Sequence, residues 1–254
     1  MPLANDLYYY LNQGSEESAL PVVLIHGAGG MHLSWPTEVR RQANFNLYAL
    51  DLPGHGKSDA AGGLQTIDAY ADRVLDWMQS VGLSRAAFVG HSMGGAIALS
   101  LALHAPERVS GLGLVSTGAR LQVNPDLLAD AANATTFYKV VGLLNAWSFG
   151  PEAPDRLVEL ARQRLAEVRP SVLYGDLLAC NAFDVSEQIG KITSPTLVLS
   201  GTADRMVPMR NAQFIADSIP GAELVLIPQA GHMVVLEQPV VVAQALTSFL
   251  QRIH

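Results

Sequence analysis

The chain reads as an α/β protein: a mostly parallel, doubly wound sheet with helices on both faces and a small helical lid inserted near its middle. Short apolar runs rich in β-branched residues alternate with stretches of helical periodicity, the pattern of stacked β-α units. Several of these runs are apolar nearly throughout, as strands covered on both faces must be. The alternation lapses once, from about residue 118 to 191, and then resumes.

Taken in order, the strand candidates are 7–11, 22–25, 46–50, 86–89, 112–115, 196–200 and 223–227. The plainest helix begins behind Thr66, a suitable N-cap. It sets Ile67, Tyr70, Ala71, Val74, Leu75, Met78 and Val81 on one face and stops at Gly82. A closing helix has Pro239 in its first turn and directs Val240, Ala243, Leu246 and Leu250 inward. The middle segment holds helical stretches broken at 150–154 and 169–175. Within it, 155–168 is amphipathic through Leu157, Leu160, Ala161, Leu165 and Val168. The expected division is a core of 1–117 and 192–254, with a lid at 118–191.

Composition narrows the function. Hydrophobic residues make up 49% and charged residues 15% of the 254, enough for a large core and too apolar for disorder. A net charge of −7 without a run of Lys or Arg argues against nucleic acid or an anionic membrane surface as partner. The lone Cys180 cannot form an internal disulfide, and no Cys/His cluster offers a metal site. Residues 86–106 carry no Lys, Arg, Asp or Glu, but Gly90, His91, Ser92, Gly94 and Gly95 suit a strand, a turn and a buried helix better than a membrane span. Residues 1–14 lack a basic patch followed by an apolar run, so no secretory signal is expected and a cytoplasmic location is.

The chemistry centres on Gly90-His91-Ser92-Met93-Gly94, a G-x-S-x-G between a strand candidate and a small-residue helix. A serine on so sharp a turn has crowded neighbours, and glycines two residues to either side let the chains approach. Its hydroxyl is a weak nucleophile until a base takes the proton, and the base needs an orienting acid. In folds with this turn the chain order is serine, acid, histidine. Downstream of Ser92 stand His104, on the helix leaving the turn, the final residue His254, and His232, on the loop behind 223–227. His232 is the expected base. Asp204 follows the 196–200 strand and reaches the same sheet edge, where ligands of open α/β sheets bind. A turn or N-cap role is its plainer alternative, and Asp176 and Asp184 in the insertion compete as acids.

A developing oxyanion needs donors, one from the Met93 N–H and another from the loop His26-Gly27-Ala28-Gly29-Gly30. His26 precedes the serine and is expected to support that loop. Gly54-His55-Gly56-Lys57-Ser58 ends like a phosphate-binding loop, but Asp51 stands where that motif needs glycine, and no G-x-G-x-x-G follows a strand. No cofactor is expected.

Together the segments HGAGG (26–30), DLPGHGKSD (51–59), GHSMGG (90–95), LVLSGTADRMVP (197–208) and AGHMVVLEQP (230–239) resemble the α/β-hydrolase superfamily over nearly the whole chain, in its branch of small lidded esterases, lactonases and carbon–carbon hydrolases. The resemblance implies a triad of Ser92, Asp204 and His232, with the Ala28 and Met93 amides as oxyanion donors. Dehalogenases and epoxide hydrolases of that superfamily carry an aspartate in place of Ser92 and are not expected.

The function this implies is hydrolysis of a small to medium apolar ester or lactone, with Phe137, Tyr138, Trp147, Phe149, Tyr174 and Phe183 of the insertion as pocket candidates or packing residues. Alternatives keep the triad. A thioesterase or methylesterase would meet an acidic carrier through Arg156, Arg162, Arg164 and Arg169, unless these form a solvated face interleaved with Glu159 and Glu167. A carbon–carbon hydrolase would act on dienone-type substrates. A hydroxynitrile lyase would add a lysine in the lid, for which Lys139 is the candidate. A non-catalytic binding protein is the remaining class, and the sequence carries no signal for an oligomeric state.

Overall fold

The computed structural model describes residues 2–15, 19–58 and 63–253. Asp59, the end of the DLPGHGKSD segment, and His254 lie outside the described residues. Among the described residues eight strands form one sheet: β1 Leu3–Ala4, β2 Leu7–Asn12, β3 Pro21–Ile25, β4 Asn46–Leu50, β5 Ala86–His91, β6 Val109–Val115, β7 Thr196–Gly201 and β8 Glu223–Ile227. Their order across the sheet is β1-β2-β4-β3-β5-β6-β7-β8. The first two strands are antiparallel to their neighbours and the rest are parallel. The seven strands read from the sequence are present, and the two-residue β1 is too short to leave a periodic signal.

The helices among the described residues are α1 Thr37–Arg40, α2 Ile67–Ser80, α3 Met93–His104, α4 Pro125–Ala131, α5 Phe137–Ser148, α6 Asp155–Ala166, α7 Pro170–Ala182, α8 Arg210–Ser218, α9 Val234–Glu237 and α10 Pro239–Arg252. Alternate strand residues face opposite layers. Val23, Ile25, Phe88, Leu112, Leu114 and Val198 pack with α2, α3 and α8. Val22, Leu24, Ala87, Val89, Leu197 and Leu199 pack with α1, α9 and α10. A helix wedged between a sheet and other helices must be apolar all round, and every residue of α3 from Met93 to Ala102 is buried. Truncating Ile97 there to Ala would cost about 2–5 kcal/mol.

Local chemistry sets the helix ends. Thr66 Oγ1 accepts the Ala69 N–H at 3.2 Å, and Gly82 takes φ +74° just beyond α2. Two expectations need correction. Val240 is exposed on α10 while Val242 and Phe249 turn inward, because the buried stripe is rotated from the one read. The break at 169–175 shrinks to the approach to Pro170, which occupies the first turn of α7, so that helix runs unbroken through Gly175.

Between β6 and β7, the helices α4 to α7 form their own layer, with Leu127, Phe137, Val140, Val141, Leu144, Leu173 and Leu177 at its centre. The parallel strands bring the loops after β3, β5, β7 and β8 to one edge of the sheet. No helix among the described residues is long and apolar enough to cross a membrane.

Candidate active site

Ser92 joins β5 to α3 with φ +53° and ψ −117°, a conformation that side chains other than glycine rarely hold. The strain persists because the neighbours over-determine it. The Ser92 N–H donates to the Val115 carbonyl at 2.9 Å, and its own carbonyl accepts Thr117 Oγ1–H at 2.8 Å. A Cβ on Gly90 would overlap the Gly94 carbonyl, and one on Gly94 would overlap the Ile25 carbonyl. Both glycines of the motif are therefore demanded by backbone contact.

Asp204 lies just past β7 and is buried. Its Oδ1 accepts the Met206 and Val207 N–H groups, each at 2.9 Å, and its Oδ2 accepts His232 Nδ1–H at 2.9 Å. The turn role and the partner role thus coexist: the two amides fix the carboxylate so that its other oxygen holds the imidazole. With Nδ1 donating, Nε2 is the basic nitrogen of His232. His232 and Ser92 line one cavity, although no hydrogen bond joins their side chains. Such contacts commonly tighten only with substrate bound.

Two residues that sequence reasoning left aside hold the His232 loop. His91 Nε2–H donates to the His232 carbonyl at 2.9 Å, and burial, helped by the nearby His232 ring, lowers the His91 pKa to about 3. Glu237 accepts the Gly231 N–H on Oε1 and the Gly150 N–H on Oε2, each at 2.9 Å, clamping that loop to the insertion. A pattern search for nucleophile, acid and base does not find residues whose partners are backbone groups.

The glycine loop after β3 runs against the serine: a Cβ on Gly27 would sit 3.2 Å from Ser92 Cβ. The Gly29 N–H donates to Asp176 Oδ2 at 2.8 Å, and the Gly30 N–H to the Gly27 carbonyl at 3.0 Å, so neither amide serves the cavity. Ala28 and Met93 also lie at this junction, Ala28 on the cavity wall and Met93 buried at the start of α3. His26 is a support, as expected. Its Nδ1–H donates to the Gly27 carbonyl at 2.8 Å and its Nε2 accepts the Leu52 N–H at 3.1 Å, a neutral ring whose pKa burial and then His55 lower to about 4.

Neither competing acid meets His232. Asp184 is an exposed partner of Arg120 at 3.3 Å. Asp176, fully buried on α7, accepts from Gly29, from His55 Nε2 at 2.8 Å and from the Tyr70 hydroxyl at 2.6 Å. The segment that ends like a phosphate loop is a turn around Asp51. The Lys57 N–H donates to Asp51 Oδ2 at 2.8 Å, and at Gly56, with φ +52°, a Cβ would overlap that carboxylate.

The cavity, of about 370 Å³, is walled by leucines and methionines, among them Leu144, Leu157, Leu165, Leu173, Met206 and Met233. Of the expected aromatics, Phe149 lines it. Phe137 is buried inside the insertion, with Trp147 and Tyr174 packed against that interior; Phe183 belongs to the sheet core, and Tyr138 is exposed. The aromatic bulk fills the helical layer, which needs it for packing, and branched aliphatic side chains face the void. Lys139 pairs with Asp130 at 2.6 Å on the exterior and is not on the cavity wall, so the lysine that a lyase would need is not supplied there. Arg162 pairs with Glu159 at 2.8 Å and Arg164 with Glu167 at 3.1 Å, as on a solvated helix face. Among the described residues no cluster of His, Cys, Asp and Glu could hold a metal.

Known proteins share this fold. Residues 21–239 match the family model described as alpha/beta hydrolase fold. An enol-lactonase from Burkholderia xenovorans LB400 superimposes with a TM-score of 0.90 at 25% identity, covering 96% of each chain. A thermophilic esterase from Thermogutta terrifontis does so with 0.89 at 26% identity, over 98% of this chain and 94% of the esterase. The acetyltransferase component of an acetoin cleaving system from Pseudomonas putida is 30% identical over 251 residues, 93% of this chain, and this chain spans 65% of that protein's length. A family match that runs from the third strand to the first turn of the last helix takes in every loop of the cavity's floor, and the chain belongs to the alpha/beta hydrolase fold family.

Proposed function

We propose that the chain hydrolyses a small to medium, largely apolar carboxylic ester or lactone through an acyl-enzyme on Ser92. The observation that carries this reading is the His232–Asp204 pair at 2.9 Å, with His232 and Ser92 on one leucine-lined cavity. Ser92 Oγ attacks the carbonyl carbon while His232 Nε2 takes its proton. The tetrahedral oxyanion is met by the Ala28 and Met93 N–H groups. Collapse expels the alcohol, which His232 protonates, and water attacking through the same base releases the acid. Asp204 orients the ring and stabilises its charged form. The insertion of α4 to α7 serves as the lid, with α6 over the acyl chain.

The test is covalent. A fluorophosphonate should label Ser92, and Ser92→Ala should lower p-nitrophenyl butyrate turnover by about 10³-fold or more with an unchanged melting temperature. A folded S92A enzyme with near-normal kcat would overturn the mechanism.

A further inference from the structure

The polar groups of the cavity wall divide sharply. Ser148 Oγ–H donates to the Leu144 carbonyl at 2.7 Å, Ser34 Oγ accepts the Met31 N–H at 3.1 Å, and Arg164 pairs with Glu167 at 3.1 Å. Both imidazoles, His91 and His232, are held as described. Two side chains on the wall make no hydrogen bond to a described residue: Ser92, which the proposed reaction uses, and Asn145. Asn145 sits on the inner face of α5, next to Leu144, and is only 8% exposed.

A carboxamide in such a place needs partners, because an apolar ligand that strips its water leaves both a donor and an acceptor unsatisfied. A plain alkyl chain filling this cavity would incur that cost, whereas a chain carrying its own polar group at the right depth would not. An anionic group is a poor match, since Asn145 is neutral and Arg164, the cation on this wall, is exposed and already paired with Glu167.

Resting on the catalytic reading above, we infer that Asn145 is a specificity residue. The favoured substrate is an ester or lactone bearing a second, neutral hydrogen-bonding group, an amide or a hydroxyl, on the part that enters the leucine-lined cavity. Asn145 holds that group while Ser92 meets the scissile carbonyl. Selectivity of this kind exceeds what methylene contacts supply, because the wrong substrate buries an unpaired amide.

Two sets of p-nitrophenyl esters test it. One carries N-acetyl-β-alanine, N-acetyl-4-aminobutyrate and N-acetyl-6-aminohexanoate; the other carries 3-hydroxyhexanoate and 5-hydroxyhexanoate. Each is compared with the straight alkanoate of equal length. The readout is the ratio of kcat/KM for the polar and alkyl partners within one enzyme preparation, which cancels differences in the amount of folded protein. At the best spacing that ratio should fall by about ten- to a hundredfold in Asn145→Leu, and in Asn145→Ala should the first variant fold poorly. An active wild type whose ratios stay within twofold of both variants at every spacing overturns this inference and leaves the catalytic reading intact. A wild type inert toward every ester overturns the catalytic reading, and this one with it.

Discussion

Asp176 Oδ2 accepts the Gly29 N–H at 2.8 Å, so a helix of the insertion holds the very loop that carries Ala28. The same carboxylate takes His55 Nε2 on Oδ2 and the Tyr70 hydroxyl on Oδ1, and Asp176→Asn would remove the charge and set an amide NH₂ against the donors on one of these two sides. Breaking a buried pair of this kind costs about 3–5 kcal/mol. In the folded fraction the Ala28 amide proposed as an oxyanion donor would also be displaced, so kcat for p-nitrophenyl butyrate should fall about ten- to a hundredfold with a smaller change in KM. Normal kcat in a folded D176N enzyme would show that the glycine loop holds itself.

Stability should depend on pH through three buried histidines acting in opposite senses. Both nitrogens of His55 face acceptors, the Pro53 carbonyl at 3.0 Å and Asp176 at 2.8 Å, which requires the imidazolium. Burial opposes that charge, Asp176 outweighs it, and the His55 pKa is raised above 6.5. A raised folded pKa contributes stability in full below the unfolded value of about 6.5, and loses it as pH climbs through the folded one. His26 and His91, lowered to about 4 and about 3, do the reverse: their contribution is whole above 6.5 and is lost as pH falls toward those values. Melting temperatures across pH 4–9 should therefore peak near pH 6.5. His55→Gln should flatten the alkaline side and leave the acid side in place; an unchanged alkaline slope would refute the ion pair.

Asp204 and His232 should behave as one unit. Asp204→Asn keeps an oxygen for the Met206 and Val207 amides but offers His232 the wrong partner, which should cost up to about 10⁴-fold in kcat. His232→Ala should lose a similar amount, and the double variant little more than the worse single one. Multiplicative losses would indicate independent roles.

Chain-length preference should follow the aliphatic wall. Leu157→Phe narrows the cavity from α6 and should reduce the hexanoate-to-acetate ratio of kcat/KM by about tenfold. Trp147→Ala, which alters a side chain packed outside the wall, should leave that ratio within about threefold. The opposite pattern would put the acyl chain elsewhere.

The serine turn has a packing test as well. Gly94→Ala drives a methyl group into the Ile25 carbonyl, a backbone atom that cannot swing aside. A loss of about 3 kcal/mol or more in denaturant unfolding is expected, against about 1 kcal/mol of gain for an ordinary helical Gly→Ala.

What could be read from the chain alone follows physical periodicity. Buried parallel strands are continuous apolar runs, so β3, β5 and β7 stand out, and a serine turn between glycines marks itself by its steric needs. The chain order of Ser92, Asp204 and His232 located three loops at one sheet edge. The pocket wall was illegible for a different reason: Leu157 and Phe137 are both apolar residues on amphipathic helices, and only the packing decides which of them faces a void. The same holds for Glu237 and Asp176, whose partners Gly150, Gly231 and Gly29 are amides with no signature in the sequence.

Helix α6 has no buried residue; its Leu157 and Leu160 line the cavity, and Leu165 lines it while also packing against the core of the insertion. On the proposed reading an acyl chain would supply the missing layer beneath this helix, and each departing product would take away part of an interior. Between turnovers the enzyme wears an oily seam, with Leu33 and Leu160 about half exposed at its rim. Detergent tails, plastic walls and oil droplets would compete for that seam on the same terms as the proposed substrate, and adsorption to them should grip the molecule by its helical insertion.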